Sequence, residues 1–207
     1  MKKQKKKHSY IDNLLSEGAT MVDVGAFIGE YSTYCSEFVG ETGMVIAFEP
    51  VKDNYDLLDK FASFYNNIIV FKAAISSEKK EIKIYKSKSN AQDNRLFEFE
   101  GAGDYETVSA IRLDDLEFDR LDLLKISVQG YEDFVIQGAK EVIQKYRPHI
   151  IADFNPQLIE EAGNTASNML SFYDELKYCW QFVEYDDKTK IGKLLLTPEN
   201  IEKDING

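Results

Sequence analysis

The chain has 207 residues and a formal net charge of −11, and 43% of its residues are hydrophobic and 13% aromatic. This length and composition predict one globular domain with a single core, and they exclude a fibrous or fully disordered chain. No apolar run is long enough to span a bilayer, and the acidic balance disfavours phosphate backbones. We therefore expect neither a membrane partner nor a nucleic-acid partner.

The N-terminal residues 1–8 carry five lysines with no apolar stretch behind them, which is unlike a secretory signal. We expect a disordered basic tail over 1–8, with contact to nucleic acid or anionic lipid as the alternative, and a single domain over 9–207. A short amphipathic helix over 9–16 should lead into the first strand. Cys35 and Cys179 match no metal-ligand spacing, which predicts two buried, reduced thiols and a cytoplasmic location.

A short apolar run at 21–24 precedes a turn that carries Gly25 and Gly29, and a helical pattern follows over 30–39. The run is typical of a parallel strand that is covered on both faces. Glycine lets the backbone approach a ligand, and a helix N-terminus presents free N–H groups to polar oxygens. The pattern therefore predicts a nucleotide-binding turn, although glycines at this spacing also close ordinary turns.

The second strand, over 44–48, ends at Glu49, which lies 24 positions beyond Gly25. In a βαβ unit, an acid at this place accepts hydrogen bonds from ribose hydroxyls. The alternative is that Glu49 only caps the helix expected over 52–65, after Pro50.

The middle of the chain predicts a third strand over 68–71, with small residues at Ala73 and Ala74 that leave room for a ligand or for close packing. Segments 81–85 and 107–112 alternate polar and apolar residues, so we expect them to pair at the rim of the sheet. Between them, residues 87–104 show no period and are read either as a functional loop or as a disordered one.

The C-terminal half continues with a turn at 113–118, a strand at 123–128, a helix at 131–146, a strand at 149–154, a helix at 165–178 and a hairpin of 180–185 with 192–197. Alternation of strand and helix predicts an α/β fold, a doubly wound and mostly parallel sheet with a C-terminal antiparallel hairpin. Such sheets bind ligands at the carboxyl ends of their strands. The residues at those ends are Asp23, Glu49, Ala74, Ser127 and Asp153.

Three ordered segments, 22–29, 46–50 and 124–132, resemble the FkbM family of S-adenosylmethionine-dependent methyltransferases, and the resemblance runs from about residue 20 to 155. It implies the class I methyltransferase fold, which is Rossmann-like, and S-adenosylmethionine as the cofactor. The cofactor-binding residues expected on this basis are Asp23, Gly25, Ala26, Phe27, Gly29, Glu49, Ala74 and Ser127.

The chain departs from the family pattern Lys-Ile-Asp-x-Glu-Gly-x-Glu, because Ser127 and Gln129 stand where the pattern has acids. Serine cannot serve as the base, which leaves three hypotheses: another carboxylate takes the proton, the acceptor needs no base, or the domain binds the cofactor without turnover. The catalytic candidates are Lys125, Glu132 and Asp153. Lys125 would orient a carboxylate or the acceptor, or else form an ordinary ion pair.

The resemblance implies O-methylation of a hydroxyl on a sugar or another small metabolite, so the expected partner is a small-molecule or glycan acceptor. Neither His8 nor His149 is placed for catalysis, and we expect no metal site. The alternatives are a non-catalytic cofactor-binding module and, less favoured, a nicotinamide-dependent oxidoreductase. Glu49 would suit the nicotinamide ribose, but the first turn lacks Gly-x-Gly-x-x-Gly. The sequence sets no oligomeric state.

Overall fold

The computed structural model describes His8 and residues 10–199, and its strands alternate with helices as the sequence predicts. The strands are β1 (Thr20–Val24), β2 (Met44–Phe48), β3 (Ile68–Phe71), β4 (Ala74–Ile75), β5 (Lys80–Ser87), β6 (Ala102–Ile111), β7 (Leu123–Ile126), β8 (His149–Phe154), β9 (Tyr178–Tyr185) and β10 (Gly192–Pro198). The helices are α1 (Glu30–Val39), α2 (Lys52–Ala62), α3 (Glu132–Gln137), α4 (Lys140–Tyr146), α5 (Pro156–Glu161) and α6 (Ala166–Glu175).

Within the described residues, seven strands form one sheet in the order β3-β2-β1-β7-β8-β10-β9. The pairs from β3 to β8 are parallel, and β10 is antiparallel to both β8 and β9. The predicted fold class is therefore confirmed, including the C-terminal hairpin. The strand order reverses beside β1, and this is where open α/β sheets form a ligand-binding crevice.

Alternate residues of the central strands face opposite layers of helices, as the pleat requires. Met21, Leu123 and Ile151 pack under α1 with Cys35 and Val39. The opposite face carries Val22, Leu124 and Ile150, and it packs against α3, α4 and α6. Both faces of the central strands β1, β7 and β8 are thus buried, which explains their mostly apolar sequences, whereas Ile69 and Phe71 of β3 are exposed.

The segments 81–85 and 107–112 pair with each other, but the prediction that they form the rim of the main sheet is wrong. They belong to β5 and β6, which join β4 in a separate sheet of three strands in the order β4-β6-β5. Alternation along a strand shows that one face is buried, but it does not say which sheet the strand joins. The small sheet stands beside the carboxyl ends of the main strands, and Ala74 and Ile84 from it line a cavity there.

Several local predictions also differ from the structure. Residues 10–16 form turns rather than a helix, and Ser9 lies outside the described residues. The expected helix 131–146 is split into α3 and α4 at Gly138, where a Cβ would lie 1.9 Å from the backbone oxygen of Ser76. Helix α5 was not predicted, and Cys179, expected to be buried, is exposed. The helices expected to end at 65 and 178 end at Ala62 and Glu175.

The predicted tail over 1–8 lies outside the described residues except for His8. Its ring is buried, with its centroid 4.0 Å from that of Tyr31, and its Nε2 lies 3.5 Å from a carboxylate oxygen of Glu30. The N-terminal end of the described chain thus packs on the first turn of α1. Among the described residues, no helix is both long and apolar enough to cross a bilayer.

Helix α6 carries a testable packing feature, the buried phenol of Tyr173. Its hydroxyl finds no hydrogen-bond partner among the described residues, and burial raises the pKa of Tyr173 above its usual range. Because an unpaired buried hydroxyl is costly, we expect Tyr173→Phe to raise the free energy of unfolding by about 1 kcal/mol in a urea titration. Tyr178→Phe is the matched control and should lower it by a similar amount, since the Tyr178 hydroxyl donates to the Pro148 carbonyl at 2.8 Å. Equal decreases in the free energy of unfolding for both variants would contradict the conclusion that the Tyr173 hydroxyl is unpaired.

Candidate functional site

A cavity of about 270 Å³ opens at the carboxyl ends of β1, β2 and β7, where the reversal in strand order predicts one. It is lined by the turn after β1, by Glu49 and Val51 after β2, and by Ala74 and Ile75 of the small sheet. We call it the first cavity. It brings together six residues expected at the cofactor, namely Gly25, Ala26, Phe27, Glu49, Ala74 and Ser127.

The turn after β1 is tied to the end of β2 by backbone hydrogen bonds. The N–H groups of Gly25 and Ala26 both donate to the Phe48 carbonyl at 3.0 Å. Gly25 has φ 74°, and a Cβ on it would lie 2.0 Å from the backbone oxygen of Ser127. Glycine is therefore required at position 25 by the backbone of β7 as well as by its own conformation.

Glu49 links the second strand to this turn through its carboxylate. Oε2 accepts from the backbone N–H of Phe27 at 2.9 Å, and Oε1 accepts from the N–H of Val51 at 3.1 Å and from Asn54 Nδ2 at 3.3 Å. Burial raises the pKa of Glu49 to about 7, although these donors favour the ionised form. The carboxylate is thus fixed in place, and its charge is incompletely compensated by the protein.

Asp23 and Lys125 form a buried ion pair beneath the turn, with 2.8 Å between Oδ1 and Nζ. They are direct neighbours in the parallel pairing of β1 and β7. Ser32 donates to Asp23 Oδ2 at 2.7 Å, and Lys125 Nζ donates to the Gly25 carbonyl at 2.8 Å. Lys125 therefore positions the turn from below, as in the ion-pair alternative considered for it.

A second pair of charges lies on the same face of the sheet, at its next strands. Lys193 of β10 is directly opposite Asp153 of β8, and its ammonium contacts Asp153 Oδ1. The hydroxyl of Ser127 donates to Asp153 Oδ2. Both oxygens of Asp153 are therefore engaged, so its carboxylate is held in one orientation.

Asp153 and Gln129 also line a second cavity of about 400 Å³, between α5 and the C-terminal hairpin. Glu132, Leu158 and Lys193 contribute to its walls. The two cavities therefore meet at Asp153 and Gln129, which is the arrangement expected where two ligands react with each other. We call this the second cavity.

Glu132 opens α3 at the wall of the second cavity and is 2% exposed. Its Oε1 accepts from the N–H of Val128 at 2.9 Å. Burial, reinforced by the nearby Asp153 carboxylate, raises the pKa of Glu132 to about 7. A carboxylate that holds a proton near neutral pH is suited to general acid–base chemistry.

Asp23 and Gly29, also expected at the cofactor, do not line the first cavity. Asp23 is fully buried and faces Lys125 and Ser32. Gly29, with φ 90°, packs against Leu58 at the start of α1, where a Cβ would lie 2.7 Å from Leu58 Cδ1.

The candidate site also contains residues that no sequence motif indicates. Tyr31 of α1 lines the first cavity, with Lys125 Nζ 5.1 Å and Lys193 Nζ 5.6 Å from its ring centroid. Its position in the helical pattern over 30–39 is typical of a packing residue, so the sequence carries no sign of this role. The unassigned loop also lines the first cavity, with Gln92 and Leu96 among its contributions. In the described part of the chain, no three His, Cys, Asp or Glu side chains come together as a metal site.

Comparison with solved structures shows the same fold in several methyltransferases. The methyltransferase FkbM from Methylobacillus flagellatus KT has a TM-score of 0.60 at 16% identity, over 87% of this chain and 44% of that one, so the chain spans less than half its length. A putative rRNA methylase from Clostridium thermocellum gives 0.60 at 13% identity, over 92% of both chains. Fibrillarin from Aeropyrum pernix, solved with natively bound S-adenosyl-L-methionine, gives 0.56 at 11% identity, over 88% of this chain and 67% of that one.

Comparison with the sequences of curated proteins gives no match. The family profile described as the methyltransferase FkbM domain matches residues 23–179, which span the turn after β1, Glu49, the junction of the two cavities and most of the sheet. This confirms the resemblance noted in the sequence. The chain therefore belongs to the FkbM methyltransferase family, whose cofactor is S-adenosylmethionine.

Proposed function

We propose that this protein transfers the methyl group of S-adenosylmethionine to a hydroxyl of a sugar or another small metabolite. The observation that carries the proposal is the meeting of two cavities at Asp153 and Gln129, one beside Glu49 and the other beside Glu132. Family membership supports the reaction class. That the methyl group goes to a hydroxyl, and that the acceptor is a small molecule, are our inferences.

The residues of the first cavity fit the cofactor. A carboxylate offers about four lone-pair directions, and Glu49 uses three of them on Phe27, Val51 and Asn54. Its raised pKa indicates that a further donor, such as a ribose hydroxyl, would stabilise the ionised form. The buried side chains of Val51, Ala74 and Ile75 offer an apolar wall for a flat base.

The bound cofactor supplies an electrophilic methyl group on a sulfonium, and displacement of that methyl group requires an acceptor in line with it. We place the acceptor in the second cavity. Asp153, held by Ser127 and Lys193, accepts the hydrogen bond that orients the acceptor hydroxyl. Glu132 takes the hydroxyl proton, because burial has raised its pKa to the working range of a general base.

The charge of the second cavity bears on the acceptor class. Glu132, Asp153, Glu184 and Asp186 line it, against the single positive charge of Lys193. Phosphorylated or carboxylated acceptors would be repelled by this lining. This supports a neutral small molecule or glycan and argues against nucleic acid, even though some structural neighbours are named rRNA methylases. The free thiols Cys35 and Cys179 fit a reducing, cytoplasmic compartment, which we also propose.

Thermal melting with S-adenosylmethionine, S-adenosylhomocysteine or NAD tests the cofactor site. A ligand at about 100 times its dissociation constant adds roughly 2.7 kcal/mol, which is about 5 to 10 °C for a domain of this size. We expect the melting temperature to rise with S-adenosylmethionine and with S-adenosylhomocysteine, and to stay unchanged with NAD. A shift with NAD alone would favour an oxidoreductase. Binding of the sulfur ligands without methyl transfer to any fraction of a metabolite extract would favour the non-catalytic module suggested by Ser127 and Gln129.

Replacing Glu132 with glutamine tests the proposed base. We expect methyl transfer to fall by about 10²- to 10⁴-fold with S-adenosylhomocysteine affinity unchanged, because Glu132 does not line the first cavity. The pKa of Glu132 in the folded protein is about 7, above the 4.5 that is usual for a glutamate, so in the wild type the Glu132 contribution to stability falls as pH rises from about 4.5 to 7. The pH slope of the free energy of unfolding should therefore become less negative in Glu132→Gln.

The matched control is Glu160→Gln on the exposed side of α5, which should change neither the methyl-transfer rate nor the pH slope. Full methyl transfer by Glu132→Gln would exclude Glu132 as the base and leave Asp153 or an acceptor that needs no base.

A further inference from the structure

The polar loop that the sequence left unassigned has a defined position over the first cavity. Residues 88–101, which we call the cap segment, connect β5 to β6. Ala91, Gln92, Asn94 and Leu96 of this segment line the first cavity on the side of the small sheet. The cap segment therefore covers a wall of the cavity in which we place the cofactor.

Within the cap segment, Arg95 holds the hairpin together. Its backbone exchanges two hydrogen bonds with Tyr85 of β5, at 2.8 and 3.1 Å. Its guanidinium binds Asp93 at 2.8 Å and 3.2 Å through two nitrogens and lies 4.2 Å from the ring centroid of Phe99. With the guanidinium fixed on two sides, its remaining nitrogen has a preset direction.

That nitrogen, Nη1, donates to Glu161 Oε2 at 2.8 Å. Glu161 ends α5, 66 positions further along the chain, and α5 also carries Leu158, which lines the second cavity. The side chain of Arg95 is 15% exposed and that of Glu161 is 35% exposed, so water reaches this pair only in part. A single ion pair thus joins the wall of the first cavity to the helix that borders the second.

We propose that Arg95 is a positioning residue for the cofactor site, and that its ion pair with Glu161 is a latch that keeps the cap segment closed over the bound cofactor. This inference rests on the proposed function, because it places the cofactor in the first cavity. Opening of the latch permits cofactor exchange, and closure fixes Gln92 and Leu96 against the bound molecule. An ion pair between a loop and a helix that are distant in the chain is suited to such gating, because it can break while the backbone hydrogen bonds between Arg95 and Tyr85 stay in place.

The experiment is the dissociation rate of S-adenosylhomocysteine, measured by surface plasmon resonance for the wild type, Glu161→Ala and the neighbouring control Glu160→Ala. We expect about fivefold faster dissociation from Glu161→Ala, in line with a partly exposed ion pair, and no change for Glu160→Ala. Raising the salt concentration should accelerate dissociation from the wild type but not from Glu161→Ala, because the latch is electrostatic.

A second readout separates a latch from general stabilisation. The melting temperature of the ligand-free protein should be lower for Glu161→Ala than for Glu160→Ala by no more than about 2 to 4 °C, the size expected for the loss of one partly exposed ion pair. Arg95→Lys, which keeps the charge but loses the paired contact with Asp93, should dissociate at a rate between those of the wild type and Arg95→Ala. Equal dissociation rates for the wild type and Glu161→Ala would overturn the latch and leave the cofactor site intact. If the wild type binds no S-adenosylhomocysteine, the proposed function and the latch both fail.

Discussion

Replacing Glu49 with glutamine should weaken S-adenosylhomocysteine binding on the order of 100-fold, because hydrogen bonds to a charged carboxylate contribute about 1.5 to 3 kcal/mol each. Glu49 is 5% exposed, so water cannot replace the lost contact. Glutamine also sets an amide NH₂ against one of the N–H donors of Phe27 and Val51, which disturbs the turn itself. Isothermal titration calorimetry at pH 8 measures the loss.

The wild-type affinity should also depend on pH, and the sign follows from the raised pKa of Glu49. In the free protein this carboxyl has a pKa of about 7, and ribose hydroxyls that donate to it favour its ionised form. Binding therefore releases a proton below pH 7, and the affinity should be about tenfold weaker at pH 6 than at pH 8.

The pH dependence attributable to Glu49 should disappear in Glu49→Gln, while Glu37→Gln on the exposed side of α1 should bind like the wild type. If Glu49→Gln keeps both the affinity and the pH dependence of the wild type, the cofactor does not contact this carboxylate.

The second large effect is expected at Gly25. A side chain there must adopt φ 74° and would place its Cβ 2.0 Å from the Ser127 carbonyl oxygen, which belongs to backbone and cannot turn aside. We expect Gly25→Ala to lower the free energy of unfolding by about 3 to 5 kcal/mol in urea, as backbone strain and overpacking combine.

Gly163→Ala is the matched control for Gly25→Ala. Gly163 has φ 90°, but its Cβ would meet nothing within 4 Å among the described residues, so it tests backbone strain without a clash. We expect Gly163→Ala to lower the free energy of unfolding by about 1 kcal/mol. Similar losses for the two variants would show that the approach of β1 to β7 is looser than the structure indicates.

The βαβ start of the domain could be predicted because its signals are local. The bounds of α1, β2, β3 and β8 agree with the periodicity of the sequence, and Glu49 follows β2 as the spacing requires. Each of these elements buries a face that a short window of sequence already displays. The order of three motifs then identified the family and, through it, the cofactor, and both are confirmed.

The breaks within and after helices were harder to predict, because they depend on distant neighbours. The helical pattern continues across Gly138, yet the helix breaks there, at a point where the backbone of Ser76 lies against it. Helix α5 has six residues, too few to show a period, and it begins at the Asn155 cap and Pro156.

The sequence by itself determined the succession of strands in the main sheet, the acid after β2 and the departures at Ser127 and Gln129, since each can be read from neighbouring residues. Only the tertiary structure decided which charges meet. Lys193 reaches Asp153 through the register of an antiparallel pair, and Arg95 reaches Glu161 across 66 positions. Long-range pairings of this kind depend on how whole elements pack, and no local pattern encodes them. The residue types of the candidate site could therefore be predicted from the sequence, but their arrangement into two adjoining cavities could not.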